Sequence, residues 1–130
     1  MGDSGVILGI GVDIVEIEKL RLAMIRRGER LRNRAFTPVE IEYCEARANK
    51  FQHYSARFAA KEAVFKAIGS GWRDGVSWHD VEVRNQMNGK PTLIIRGRAR
   101  ELADLLGARN YWISLSHTDQ YAVAQVILQS

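Results

Sequence analysis

Residues Arg57–Gly71 read RFAAKEAVFKAIGSG, and the fold turns on how this stretch is packed. Wound at about 100° per residue, it gathers Ala59, Ala60, Ala63, Val64, Ala67 and Ile68 on one side and Arg57, Lys61, Glu62 and Lys66 on the other. Phe58 and Phe65 fall among the charges. A plain solvated face does not normally seat two phenylalanines there, so the pattern predicts a helix buried nearly all round, with its charges turned toward something specific. It is expected to begin near Phe51 and to stop at Gly69, where glycine suits a left-handed C-terminal cap.

Upstream, in GVILGIGVDIV, the positions Val6, Leu8, Ile10, Val12 and Ile14 are all apolar, while Ile7, Gly9, Gly11, Asp13 and Val15 alternate with them. This predicts a strand with one bare face. Ile17, Leu20, Met24 and Ile25 then recur at helical spacing as far as Gly28. Thr37-Pro38-Val39-Glu40 carries the N-cap, N1 proline and N3 glutamate of a helix start, predicting a helix from Pro38 to about Ala48. Downstream, Gly69–Gly75 reads as a loop, and Val81–Arg84 and Pro91–Arg96 flank Asn88-Gly89 as a hairpin. A helix from about Ala99 to Leu106 and two strands, Tyr111–Ser116 and Tyr121–Leu128, complete the order βαααββαββ. Sequential strands joined by short turns fit an α+β single domain over residues 1–130, a largely antiparallel sheet packed with helices.

The chain has 130 residues, 46% of them hydrophobic, a length that suits one domain with a modest core. The longest apolar run, Val6–Val12, falls far short of the roughly 20 residues a membrane span requires, and no secretory pattern opens the chain. A cytoplasmic protein with no membrane partner is expected. Cys44 is the single cysteine; set in the acidic IEYCEA, it is expected to be structural. The net charge of +4 is unevenly spread, with seven basic residues between Lys19 and Arg34 against Glu29 alone. That run reads either as a solvated face or as a docking surface for an anionic partner, nucleic acid or an acidic protein. A basic nucleic-acid-binding domain without catalysis is therefore the alternative reading. No aromatic residue between Lys19 and Arg34 could stack on bases, which speaks against nucleic acid.

Asp13 is the one charge in its apolar strand, and Gly9 and Gly11 clear space beside it for a bulky ligand or a close backbone contact. Its bland reading is a capping-box-like start, with Glu16, for the helix at Ile17. Glu62 and Lys66 are an i, i+4 pair that could be a surface ion pair. In a partly apolar setting, however, Arg57, Lys61 and Lys66 around one carboxylate could hold a polyphosphate, with Glu62 on a hard metal such as Mg²⁺. Mg²⁺ commonly takes only one or two protein carboxylates, and Asp13 and Glu62 would be that number. A P-loop is excluded, because the only Gly-Lys pair, Gly89-Lys90, precedes Pro91. Ser116-His117-Thr118-Asp119 reads as a polar turn able to donate hydrogen bonds, since sequence neighbours seldom assemble a catalytic triad.

Five segments, in order and at this spacing, are GIGVDIVEIEKL (Gly9–Leu20), FTPVEIEYCE (Phe36–Glu45), FAAKEAVFKAIGSG (Phe58–Gly71), NGKP (Asn88–Pro91) and SLSHTDQYAVAQV (Ser114–Val126). Together they resemble the holo-acyl-carrier-protein synthases, the short bacterial type of 4′-phosphopantetheinyl transferase. The pair of an early G-x-D-I and a later F-A-A-K-E-A-x-x-K-A is the most specific part, while Trp72–Asp80 departs from the pattern. The resemblance implies a Mg²⁺-dependent transferase of fatty acid biosynthesis. It would move 4′-phosphopantetheine from coenzyme A to a serine of apo acyl carrier protein and release adenosine 3′,5′-bisphosphate. It further implies a homotrimer with active sites between subunits. Carried over by position, Asp13 and Glu62 are metal ligands; Lys61, Lys66 and Arg57 lie near the coenzyme A phosphates. Asn88, Gly89, Lys90, Pro91, Ser116, His117 and Thr118 border the nucleotide, and Lys19 and Arg26 meet the carrier. Glu62 and Lys66 would carry the catalysis; whether Glu62 itself or a metal-bound water takes the serine proton stays open.

Overall fold

The computed structural model describes residues 5–70 and 74–130. Gly71, which ends the quoted stretch, and Trp72 and Arg73 after it, all within the expected Gly69–Gly75 loop, lie outside the described residues. In chain order the elements are β1 (Ile7–Glu16), α1 (Ile17–Arg27), α2 (Glu29–Ala35), α3 (Pro38–Glu45), α4 (Lys50–Ile68), a short 3-10 turn (Trp78–Asp80), β2 (Val81–Asn85), β3 (Pro91–Ile95), α5 (Gly97–Leu106), β4 (Asn110–His117) and β5 (Tyr121–Gln129). The α+β class is as expected. The order gains one helix, α2, and the strands form two sheets, β1-β5-β4 and the hairpin β2-β3, with every pairing antiparallel.

The long helix α4 is buried nearly all round: Tyr54, Ala56, Arg57, Ala60, Lys61, Val64 and Phe65 are covered, although they lie on different sides of it. Gly69, in the left-handed conformation, closes it. The three-stranded sheet presses one face directly on this helix. A Cβ on Gly9 would overlap the carbonyl oxygen of Ala67, and one on Gly11 that of Ala63. The two glycines therefore serve a close approach of backbone to backbone, and the strand lies nearer the helix axis than any side chain would allow.

Register does the rest. Asp13 pairs with Ala124, which is opposite Leu115, so these three share the helix-side face of the sheet. The other face is open: Ile10, Val12, Ile14 and Trp112 are exposed there. Because β1 continues to Glu16, paired with Tyr121, Asp13 belongs to the strand and α1 begins without a side-chain cap. The capping-box reading of Asp13 is thereby overturned.

α3 does open on the capping box expected at Thr37. Glu40 N donates to Thr37 Oγ1 at 3.3 Å and Thr37 N to Glu40 Oε1 at 2.9 Å. Gly28, at φ 60°, separates α1 from α2, so the basic run occupies two short helices. α2 has too few apolar residues for a readable period. It is held by what it packs on: Ala35 and the following Phe36 are buried, and Asn33 O meets His79 Nε2 at 2.6 Å.

Candidate active site where β1 crosses α4

The close crossing of β1 over α4 brings two of the expected residues, Asp13 and Lys66, into contact. Lys66 reaches across to the strand, its Nζ 2.7 Å from Asp13 Oδ1 and 3.0 Å from the carbonyl oxygen of Val12. The Asp13 side chain is 18% exposed and that of Lys66 55%, so the carboxylate is mostly enclosed while the lysine side chain is open to water. Lys66 makes this contact in place of an ion pair with Glu62. Glu62, one turn back on α4, turns instead to Trp78, whose Nε1–H donates to Oε1 at 2.9 Å.

These groups fit a hard divalent cation. The donors are oxygens only, and one of them already holds a cation in the form of the Lys66 ammonium. Among the described residues no group of three or more Asp, Glu, His or Cys side chains is arranged to hold a metal. Asp13 and Glu62 would be the carboxylates of such a site, with water and phosphate oxygens completing the shell, as suits Mg²⁺.

Lys61 is placed elsewhere. Its side chain is wholly buried, 2.7 Å from Glu40 Oε1, and its ammonium also donates to the carbonyl oxygens of Trp78 and Val81. Glu40 answers with its second oxygen, which accepts from Val83 N at 2.9 Å. Burial pulls the Lys61 ammonium below the ordinary lysine range, against the upward pull of Glu40. The expectation that Lys61 meets a coenzyme phosphate is corrected: all three donors of an ammonium are engaged inside the fold, where they tie α3, α4, the 3-10 turn and β2 together.

Arg57 is 2% exposed and points toward the hairpin, with Nη2 2.5 Å from Asn85 Oδ1 and Nε buried without a partner. It borders a cleft of about 380 Å³ between α3 and the hairpin, lined also by Tyr43, Arg47, Asn85 and Gly89. Both guanidinium groups lie against the Tyr43 ring, Arg47 Cζ 3.3 Å and Arg57 Cζ 4.0 Å from its centroid. Tyr43, Arg47 and Asn85 were not anticipated as site residues; Arg47 falls in the helix expected to run to about Ala48, but α3 ends at Glu45 and Arg47 lies beyond it. The expected NGKP turn stands beside this cleft, held by Gly89 N to Gln86 O at 2.8 Å and Lys90 N to Asn88 Oδ1 at 3.0 Å.

The β4–β5 turn separates residues that sequence placed together. Ser116 and His117 alternate on the strand, so His117 shares the helix-side row of Ala122 and Val15 while Ser116 faces the open side. Thr118 Oγ1 accepts from Gln120 N and Tyr121 N at 3.2 and 3.0 Å, which shapes the turn. Gln120 O in turn accepts from Ile17 N at 2.9 Å, so this turn braces the start of α1 just beyond Asp13.

Lys19 and Arg26 are exposed on α1, and Arg27, Arg30 and Arg34 border a second cleft of about 410 Å³ on α2. Lys19 is 4.0 Å from Glu16, and Arg21 and Arg32 are engaged by Glu18 and Glu29. Cys44 is buried, and burial pushes its thiol up to about 12, consistent with a structural role. Among the described residues no helix is long and apolar enough to cross a membrane.

Residues 9–126 match the family model of the 4′-phosphopantetheinyl transferase superfamily. A holo-[acyl-carrier-protein] synthase of Koribacter versatilis is 50% identical over 123 residues, covering 95% of this chain and 98% of the relative. Among solved structures, a holo-(acyl-carrier-protein) synthase from Bacillus anthracis in complex with CoA (3′,5′-ADP) superposes with a TM-score of 0.78 at 34% identity, over 95% of this chain and 97% of that one. The Helicobacter pylori holo-[acyl-carrier-protein] synthase in complex with coenzyme A gives 0.80 at 27% identity, over 92% and 98%. With its fold and nearly its whole length shared with these enzymes, the chain belongs to the 4′-phosphopantetheinyl transferase superfamily.

Proposed function

We propose that the whole chain acts as one catalytic domain that transfers 4′-phosphopantetheine from coenzyme A to a serine of apo acyl carrier protein, with Mg²⁺, releasing adenosine 3′,5′-bisphosphate. The observation that carries this reading is the Lys66–Asp13 contact at a glycine-enabled crossing of strand and helix, with Glu62 one turn back from Lys66 on α4. The serine oxygen attacks the phosphorus that bears pantetheine, the bond from that phosphorus to the bridging oxygen breaks, and the bisphosphate leaves with the electron pair. The serine proton must go to a nearby base.

Asp13 and Glu62 would hold Mg²⁺, which supplies charge neutralisation on the pyrophosphate when bound. Lys66, more than half exposed, swings from Asp13 to the phosphate oxygens and offsets the charge that builds on the leaving group. Glu62, with Oε1 held by Trp78, keeps its other oxygen for the reacting centre. Arg57 and Arg47 would grip the anionic nucleotide end in the cleft beside Tyr43, which Gly89 also lines; Asn88, Lys90, Pro91, His117 and Thr118 would border the nucleotide. Lys19 and Arg26 would meet the acidic carrier, whose serine is delivered to a site at Asp13, four residues before α1 begins at Ile17.

Assembly as a homotrimer completes the reading. Ile10, Ile14 and Trp112, each more than half exposed on the open face of the sheet, are a surface that a further copy would cover. The test is chromatographic release of adenosine 3′,5′-bisphosphate from coenzyme A. Release that needs both the apo carrier and Mg²⁺ is expected; release indifferent to the carrier would overturn the assignment.

A further inference from the structure

Trp78 is held by contacts from several elements. Its 3-10 turn is closed by the Ser77–Asp80 capping box. Its carbonyl accepts from the buried Lys61 at 3.0 Å. Phe58 of α4 meets its ring edge-on with centroids 5.3 Å apart, and the Arg34 guanidinium of α2 lies 5.8 Å from the ring centroid. The outcome of this bracing is one directed bond, Nε1–H to Glu62 Oε1 at 2.9 Å.

We infer that Trp78 is a positioning residue for the transferase reaction, holding one carboxylate oxygen of Glu62 so that the other is presented to the metal and the reacting centre. This rests on the reading of Glu62 as the metal-side carboxylate. An indole N–H only donates, so Trp78 can neither ligate a cation nor take a proton. Its contribution is to the carboxylate's orientation. A free glutamate has three torsions to freeze when its ligand arrives; here the freezing is done in the folding of the chain. Partners of this kind, one step removed from a metal, typically alter metal affinity or activity about 10–100-fold when lost.

Trp78→Phe keeps an aromatic ring at this position and removes the N–H together with the five-membered half of the indole. Its Mg²⁺ affinity, measured by calorimetry with coenzyme A present and by the Mg²⁺ dependence of turnover, should weaken by about 10–100-fold, with coenzyme A affinity unchanged. Glu62→Ala should abolish Mg²⁺-dependent turnover. If Glu62→Ala retained it, the reading of Glu62 would itself be wrong. If Glu62→Ala lost it and Trp78→Phe bound Mg²⁺ as the parent does, only the role of Trp78 would be refuted, and equal losses in Mg²⁺ and coenzyme A binding would reduce it to a structural residue. In the parent protein, the indole ¹⁵N–¹H resonance of Trp78 should shift on addition of Mg²⁺ with coenzyme A; a resonance unmoved at saturation overturns the inference without any variant.

Discussion

Lys61 Nζ lies 2.7 Å from Glu40 Oε1, with both side chains wholly buried. A buried pair contributes little net stability compared with an apolar replacement, but leaving one partner alone is costly. Glu40→Gln should therefore destabilise the fold by about 3–5 kcal/mol, and Glu40→Leu combined with Lys61→Met by far less. Urea denaturation of the single and double variants checks this; a loss below about 1 kcal/mol for Glu40→Gln would be the behaviour of a surface pair.

Docking on α1 and α2 is electrostatic in this reading, and exposed charges are screened by salt. KM for the acyl carrier protein should rise steeply between low and high salt, while KM for coenzyme A moves less. Arg26→Glu should raise KM for the carrier and flatten its salt dependence. Equal responses for the two substrates would contradict a carrier-specific role for the basic run.

His53 stands edge-on to Tyr43, with ring centroids 5.5 Å apart. Burial holds its pKa below the ordinary value of 6.5, with help from the charges of Arg57, Arg47 and His117. The fold thus favours neutral His53. Above pH about 6.5 folded and unfolded chains both carry it neutral; as pH falls, the unfolded chain takes up the proton first, and stability drops until the folded His53 protonates too. Melting temperatures measured from about pH 7 to 5 should fall less steeply for His53→Gln than for the parent; identical slopes would count against this.

The open sheet face should be an interface. Ile14, 62% exposed and flanked on that face by Ile10 and Val12, is the position to charge. Ile14→Asp should shift the sedimentation coefficient from an oligomer to a single chain and lower activity with it. A parent protein that already sediments as one chain would remove the trimer from the proposal.

Much of this was legible where the signal is local. The helix over Arg57–Ile68 and its all-round burial, the cap at Gly69, the Thr37–Glu40 box and the Asn88-Gly89 turn are each determined by neighbours in sequence, and all appear as expected. The site was legible only through motif resemblance, and incompletely. Lys61 and Lys66 look alike on a helical wheel; what separates them is a carboxylate from α3 in one case and the edge of β1 in the other. Glu40 was already accounted for as a capping residue, and nothing local shows that its two oxygens serve a lysine and a strand as well. α2 escaped because its stability comes from packing on the Trp78 turn rather than from its own periodicity.

The most direct measurement is the intact mass of apo acyl carrier protein after incubation with coenzyme A, Mg²⁺ and this protein, beside samples with EDTA and with Glu62→Ala. A gain of one phosphopantetheine arm in the first sample, absent from the other two, is the expected result. An unchanged carrier mass in all three, or an equal gain in the Glu62→Ala sample, would contradict the assignment of the Asp13–Glu62–Lys66 crossing as the transferase centre.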